Sequence, residues 1–231
     1  MKDFKSSDII NGKALSADGT AGGGASAGTC KTPRPADLPG ETAVNGVVTC
    51  GVCPHKFQLA KGEVGLCGVR WSDGVKTQST NYGRLTSTAL GPIEKKPLAM
   101  FMPGTKILSV GLYGCNMQCP FCQNWEISTA RDGDVRADYM QPWRLASLAL
   151  ELKTQGNIGV AYTYNEPLVT YRYVVDAAAM VRTAGLKNVL VTNGCCTAEV
   201  AAQVIPLMDA INVDLKVFSA EGYEKLGGDF H

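Results

Sequence analysis

KILSVGLYGCNMQCPFCQN, residues 106–124, sets three cysteines, Cys115, Cys119 and Cys122, directly after an apolar run of strand character. KILSVGLY has the length and apolar content of a buried strand. The cysteines that follow are spaced C-x3-C-x2-C, at a carboxyl end of the kind where parallel α/β folds place their chemistry. Soft thiolates this close together suit zinc or an iron–sulfur cluster. Structural zinc wants four closed ligands, and the neighbouring segment offers no fourth. A loop of this length can instead wrap a cuboidal cluster, each thiolate meeting a different iron, with the last iron lacking a protein ligand.

Working outward, the same strand-then-helix rhythm repeats. KILSVGLY (106–113) is followed by a helix near 141–155, NIGVAYTY (157–164) by a helix near 167–185, and NVLVT (188–192) by a helix near 197–206; DAINVDLK (209–216) closes the series. Strand and helix in alternation with short connections predict parallel strands joined by crossovers. The fold class expected is α/β: a partial parallel (βα) barrel over 101–231. An open fourth strand is a hazard that folded proteins normally cover, so further strands are expected beyond GGDFH.

Upstream, residues 47–100 read as a small cysteine-containing module of short alternating segments, with turns at Ser72-Asp73-Gly74 and Tyr82-Gly83 that suit hairpins. Residues 1–46, centred on SADGTAGGGASAGT, hold too little apolar side chain to repay ordering and read as a mobile tail. GGGASAGTCKT resembles a phosphate loop only superficially, since its lysine does not follow the second glycine and no strand precedes it.

Composition narrows the function. Lysine plus arginine (22) nearly balances aspartate plus glutamate (21), so no basic excess offers itself to nucleic acid or an anionic membrane. No apolar run reaches the ~20 residues of a bilayer span, and MKDFKSSDIINGK lacks a secretory signal's apolar stretch; the expectation is a cytoplasmic protein. Nine cysteines without an export signal favour reduced thiols used as metal ligands or catalytic groups. The two histidines, His55 and His231, argue against multi-histidine zinc catalysis and hydrolytic triads.

The C-x3-C-x2-C loop after the first strand resembles that of the radical S-adenosylmethionine (SAM) superfamily. The resemblance implies a [4Fe-4S] cluster on Cys115, Cys119 and Cys122, with SAM chelating the remaining iron through its amino and carboxylate groups. It also implies reductive cleavage of SAM to a 5′-deoxyadenosyl radical. Phe121 matches the aromatic beside the adenine. Asn165 and Glu166, in YTYNEP, sit where the family's Gly-Gly-Glu motif binds the SAM amine, although Tyr164-Asn165 replaces the two glycines; a carboxylate suits an ammonium, and the helix N-terminus beside Glu166 is an alternative reason for it. Thr192 and Asn193 in TNG, and Asp214 and Lys216 in VDLK, match positions that hold SAM in the pyruvate formate-lyase activating enzyme group. Asn116 and Gln123 have either cluster sulfurs or local turns as partners.

The closer resemblance, carried in order by CGVCPH, GLCGVR, NYGR, GPIEKKPL, YTYNEP, VTNG and VDLK, is to the AmmeMemoRadiSam system radical SAM proteins. By that resemblance the electron donor is a flavodoxin or ferredoxin, and the substrate is a glycyl-radical or other protein partner, or a small molecule. Gly91 departs from the family's aspartate before PIEKKP. Cys50, Cys53 and Cys67 have knuckle-like spacing, but Phe57 stands where relatives carry another cysteine. A zinc site on these three, completed by His55 or Cys30, and plain reduced cysteines in a packed module both remain open, as does a non-catalytic iron–sulfur or zinc module for the whole chain. Cys195 and Cys196 read as core.

Overall fold

The computed structural model describes residues 41–228, all within one compact unit. Most of the expected tail, including Cys30, and the last three residues, 229–231, lie outside the described residues.

The centre is a five-stranded sheet in the order β12-β11-β10-β8-β7. Its strands are β7 (Ser87–Pro92), β8 (Lys106–Gly111), β10 (Asn157–Tyr162), β11 (Lys187–Thr192) and β12 (Ala210–Val213). The last four are mutually parallel, as the alternating pattern predicts. β7, which the sequence groups with the hairpins, instead pairs antiparallel with β8 along its whole length. It shows no clean alternation because it mixes Ser, Thr, Gly and Pro with few apolar residues. The architecture is therefore a mixed α/β sheet.

Three helices cover one face: α2 (Pro142–Glu151), α3 (Tyr171–Thr183) and α4 (Ala198–Val204). In α3, Val174, Ala177, Ala178 and Val181 recur at helical spacing and all are buried, meeting Leu108, Val110, Val160, Tyr162 and Leu190 of the sheet. The opposite face carries Ile107, Ala161 and Val189, closed by Ile93. Alternate side chains along each strand thus serve two separate cores.

Short hairpins flank the sheet. β1 (Thr42–Val44) and β2 (Val47–Thr49) pair antiparallel through Asn45 (φ 51°) and Gly46 (φ 79°), an Asn-Gly turn whose left-handed backbone matches hairpin twist. This strand begins inside the stretch the sequence gives to the tail. β3 (Gln58–Leu59), β4 (Arg70–Ser72) and β5 (Thr77–Ser79) follow, and β6 (Arg84–Leu85) pairs with β9 (Asp138–Tyr139). Cys50, Val52 and Leu59 share the core of the helical face.

At the start of β10 the pairing with β8 is irregular, and Asn157 fills the gap. Its Oδ1 accepts from the Leu108 N–H (2.8 Å) and its Nδ2 donates to the Ala149 carbonyl (2.7 Å). Asn188 does similar work at the start of β11, donating to the carbonyls of Ala178 and Leu207. Replacing Asn157 by leucine orphans one buried donor and one buried acceptor, at about 1–3 kcal/mol each. Asn157→Leu is expected to lower the urea midpoint with an unchanged slope; an unchanged midpoint contradicts this role.

Candidate active site

The carboxyl ends of the parallel strands open onto a cleft of about 660 Å³, within the usual range for a small-molecule site. Cys115, Cys119, Cys122, Phe121, Asn165, Glu166, Thr192, Asn193, Asp214 and Lys216 all border it. These residues are therefore brought to one place, from the loop after β8 and the ends of β10, β11 and β12, whereas the zinc candidates Cys50, Cys53 and Cys67, and Asn116, do not line it.

The cysteine loop has no ladder of its own and is tied at several points. Asn165, at 9% exposure, accepts from the Leu112 N–H (3.0 Å) and donates to the carbonyls of Tyr113 (3.2 Å) and Gly114 (3.0 Å). Its amide is committed to the loop backbone, so its side chain positions the ligands, whereas the sequence has it facing the cofactor amine. The Gly114 N–H donates to the Ile127 carbonyl and the Gln118 N–H to the Leu226 carbonyl. Leu226 follows α5 (Ala220–Lys225), which packs Tyr223 against Met117 beneath the loop. At Gly114 (φ 86°) a Cβ would fall 2.6 Å from the Cys67 carbonyl oxygen, so only glycine fits this first bend.

Glu166 is 2% exposed. Oε1 accepts from the Leu168 N–H (3.0 Å) and the Thr192 hydroxyl (2.7 Å), and Oε2 from the Asn193 N–H (2.7 Å). The carboxylate thus caps the 3-10 turn Pro167–Thr170 and welds the end of β10 to that of β11. Burial pushes its pKa up against these three donors and the nearby Lys216 charge. Thr192 is spent on this contact, while Asn193 turns toward the cysteine loop.

β12 ends at Val213, so Asp214 and Lys216 lie just past the strand. Lys216 Nζ donates to Asp214 Oδ2 (2.9 Å), and Asn212 holds the other oxygen (2.9 Å). Burial works against the Lys216 charge, but the Asp214 hydrogen bond and charge outweigh it and hold the amine above its ordinary value. Among the thiols, burial and then the Glu166 carboxylate push Cys115 up to about 12. Burial also raises Cys119, with Lys216 opposing. Bound iron would reverse this balance at these thiols, because a cation favours the thiolate.

Tyr164 was not foreseen from the sequence. It lines the cleft in the left-handed region (φ 74°), which costs a non-glycine residue about 1–2 kcal/mol. The signal was present, because the family motif has glycines at this point. Its ring fits because a Cβ on Gly111 would lie 2.8 Å from the Tyr164 Cβ. Lys96 Nζ sits 4.4 Å from the ring centroid.

No three His, Cys, Asp or Glu side chains among the described residues are placed to share a single metal ion. A cubane asks for something different, thiolates on separate irons, and three cysteines around one cleft suit it. Cys50, Cys53 and Cys67 are likewise not placed to share one metal ion among the described residues. They line a separate small cavity with His55 and Phe57, and burial drives Cys53 up to about 12.

Residues 110–230 match the Radical SAM superfamily. The chain belongs to that superfamily. Its radical SAM domain implies a [4Fe-4S] cluster and SAM, and the cleft supplies the donor set for both. The chain is also similar to the uncharacterized protein MJ0808 of Methanocaldococcus jannaschii, 35% identical over 179 residues that cover 78% of this chain and 52% of that protein. It spans about half that relative's length. No described helix is long and apolar enough to cross a membrane.

Lys96 gives a pH-dependent prediction. Burial, reinforced by Lys95, lowers its amine from 10.5 to about 8. Between those values the folded chain holds fewer protons here than the unfolded chain, so this site makes stability rise with pH. Lys96→Met is expected to be more stable than the parent at about pH 7, with the gap narrowing as pH rises from 8 to 10.5. A gap independent of pH in urea denaturation contradicts the assignment.

Proposed function

We propose that the protein is a radical SAM enzyme of the AmmeMemoRadiSam type, related to the pyruvate formate-lyase activating enzymes, that acts on a protein partner. The observation that carries the reading is the meeting of Cys115, Cys119 and Cys122 with Glu166 and the Asp214–Lys216 pair around one cleft. The ordered run of motifs from CGVCPH to VDLK supports the finer assignment. In this reading the electron comes from a flavodoxin or ferredoxin and the protein works in the cytoplasm.

When bound, the cluster and SAM supply a one-electron reductive cleavage that yields methionine and a 5′-deoxyadenosyl radical for hydrogen abstraction. The chain's residues have separate tasks. Cys115, Cys119 and Cys122 hold the iron. Glu166 uses three of its acceptor positions inside the protein, which leaves one on Oε2 for the SAM amine. Lys216, fixed by Asp214, presents an ammonium to the SAM carboxylate. Phe121, 58% exposed, offers an aromatic face to the adenine, and Asn165 keeps the ligand loop in register.

Anaerobically reconstituted chain, reduced with dithionite in the presence of SAM, is expected to release 5′-deoxyadenosine. Cys119→Ala is expected to lose both the cluster and the release. Cluster uptake without SAM cleavage instead supports a non-catalytic iron–sulfur module. For the protein partner, deuterium from a deuterated candidate protein should appear in 5′-deoxyadenosine; cleavage with no deuterium transfer from any candidate counts against that substrate class.

A further inference from the structure

The CPH segment and Asn193 have tasks beyond the roles given so far, and hydrogen bonds connect them. Asn193 Nδ2 lies 3.8 Å from Cys115 Sγ and 3.0 Å from Asn116 Oδ1. Its Oδ1 accepts from the Cys195 N–H (2.8 Å), and its backbone N–H donates to Glu166. The side chain is therefore fixed at both ends, with its amide hydrogens turned toward the loop. Asn116, at 1% exposure, donates from Nδ2 to the Cys195 carbonyl (2.6 Å). Its own carbonyl accepts from His55 Nε2 (3.1 Å), which defines the tautomer carrying hydrogen on Nε2.

We infer that Asn193 is a positioning residue for the cluster ligand Cys115, donating an N–H to its sulfur, and that His55 acts through Asn116 to hold that donor in line. The inference rests on the radical SAM reading of the site. Cys115 Sγ already receives the Met117 N–H (3.4 Å), and Asn193 adds a second donor from another strand end. Hydrogen bonds to a ligand sulfur stabilise the more negative, reduced state of a cluster and raise its potential. Such outer contacts also fix the ligand's direction. This gives the CGVCPH segment a task at the cluster: it clamps the residue next to the first ligand from outside the sheet. Asn193 is thereby assigned to the sulfur, while SAM contacts fall to Glu166 and Lys216.

The test is the midpoint potential of the [4Fe-4S] cluster, measured by EPR on anaerobically reconstituted protein poised at stepped potentials, with iron and sulfide counted in each sample. Asn193→Ala at full iron loading is expected to shift the potential to more negative values. His55→Phe should shift it in the same direction by less. His55→Gln, which keeps a side-chain N–H donor, should return it toward the parent. A parental potential in fully loaded Asn193→Ala overturns the inference. If Asn193→Ala fails to take up a cluster, the two His55 variants decide: equal potentials in Phe and Gln overturn the inference, and a shift in Phe rescued by Gln supports it. Failure of the parent chain to take up a [4Fe-4S] cluster overturns the radical SAM reading itself, and is thus distinct from a cluster that forms but ignores Asn193.

Discussion

A loop that presents three cysteines to a cleft cannot hold itself, because it has neither a helix's internal bonds nor a strand's partner. Its backbone groups must still find hydrogen-bond partners where they are buried. In this chain the partners come from the ends of neighbouring parallel strands. Asn165, one residue before the buried carboxylate of Glu166, takes the backbone of Leu112, Tyr113 and Gly114. Parallel strands make this possible, since their carboxyl ends arrive together at one edge. Sheet, asparagine and ligand loop form one mechanical unit, and the cluster site depends on it.

The electrostatics of the cleft follow from the same arrangement. Glu166 is nearly inaccessible and its charge is costly there, so three donors surround it. Burial of Cys115 itself, and then the Glu166 carboxylate, make its thiol reluctant to ionise; burial also raises Cys119, where Lys216 offsets part of the effect. A site that crowds thiols and a carboxylate around an open cleft suits cationic occupants, which in the proposed function are iron at the sulfurs and an ammonium at the carboxylate. The Asp214–Lys216 pair adds the opposite polarity at the far strand, where a carboxylate finds its counter-ion. In the proposed reading an amino acid's two charged ends would meet Glu166 and Lys216 on two different strands.

The parallel core was legible because four apolar runs and their helical intervals obey simple periods, and the ends of α2, α3 and α4 fell close to expectation, each extended by a short 3-10 turn. β7 was missed because an antiparallel edge of Ser, Thr, Gly and Pro carries little apolar signal; Asn45-Gly46 was a turn signal left unused. In the site, the cysteine spacing pointed to the loop, and the resemblance to the radical SAM superfamily, laid onto residues at the strand ends, collected the other bordering residues. The tasks of Asn157, Asn165 and Asn188 were not legible. An asparagine reads as a turn former in sequence, whereas these three bond backbone groups that are distant along the chain, and only the fold supplies those partners. Tyr164 shows the converse, as a departure from a glycine pattern became a left-handed tyrosine in the cleft wall.

In the proposed function three cysteines leave one iron of a cubane for SAM. The direct measurement is the low-temperature EPR spectrum of the reduced cluster before and after SAM is added. The expected result is a [4Fe-4S]+ signal whose g-values change on addition, with isotope-labelled SAM amino nitrogen or carboxylate oxygen coupling to the cluster. A cluster spectrum indifferent to SAM, with no such coupling, contradicts it.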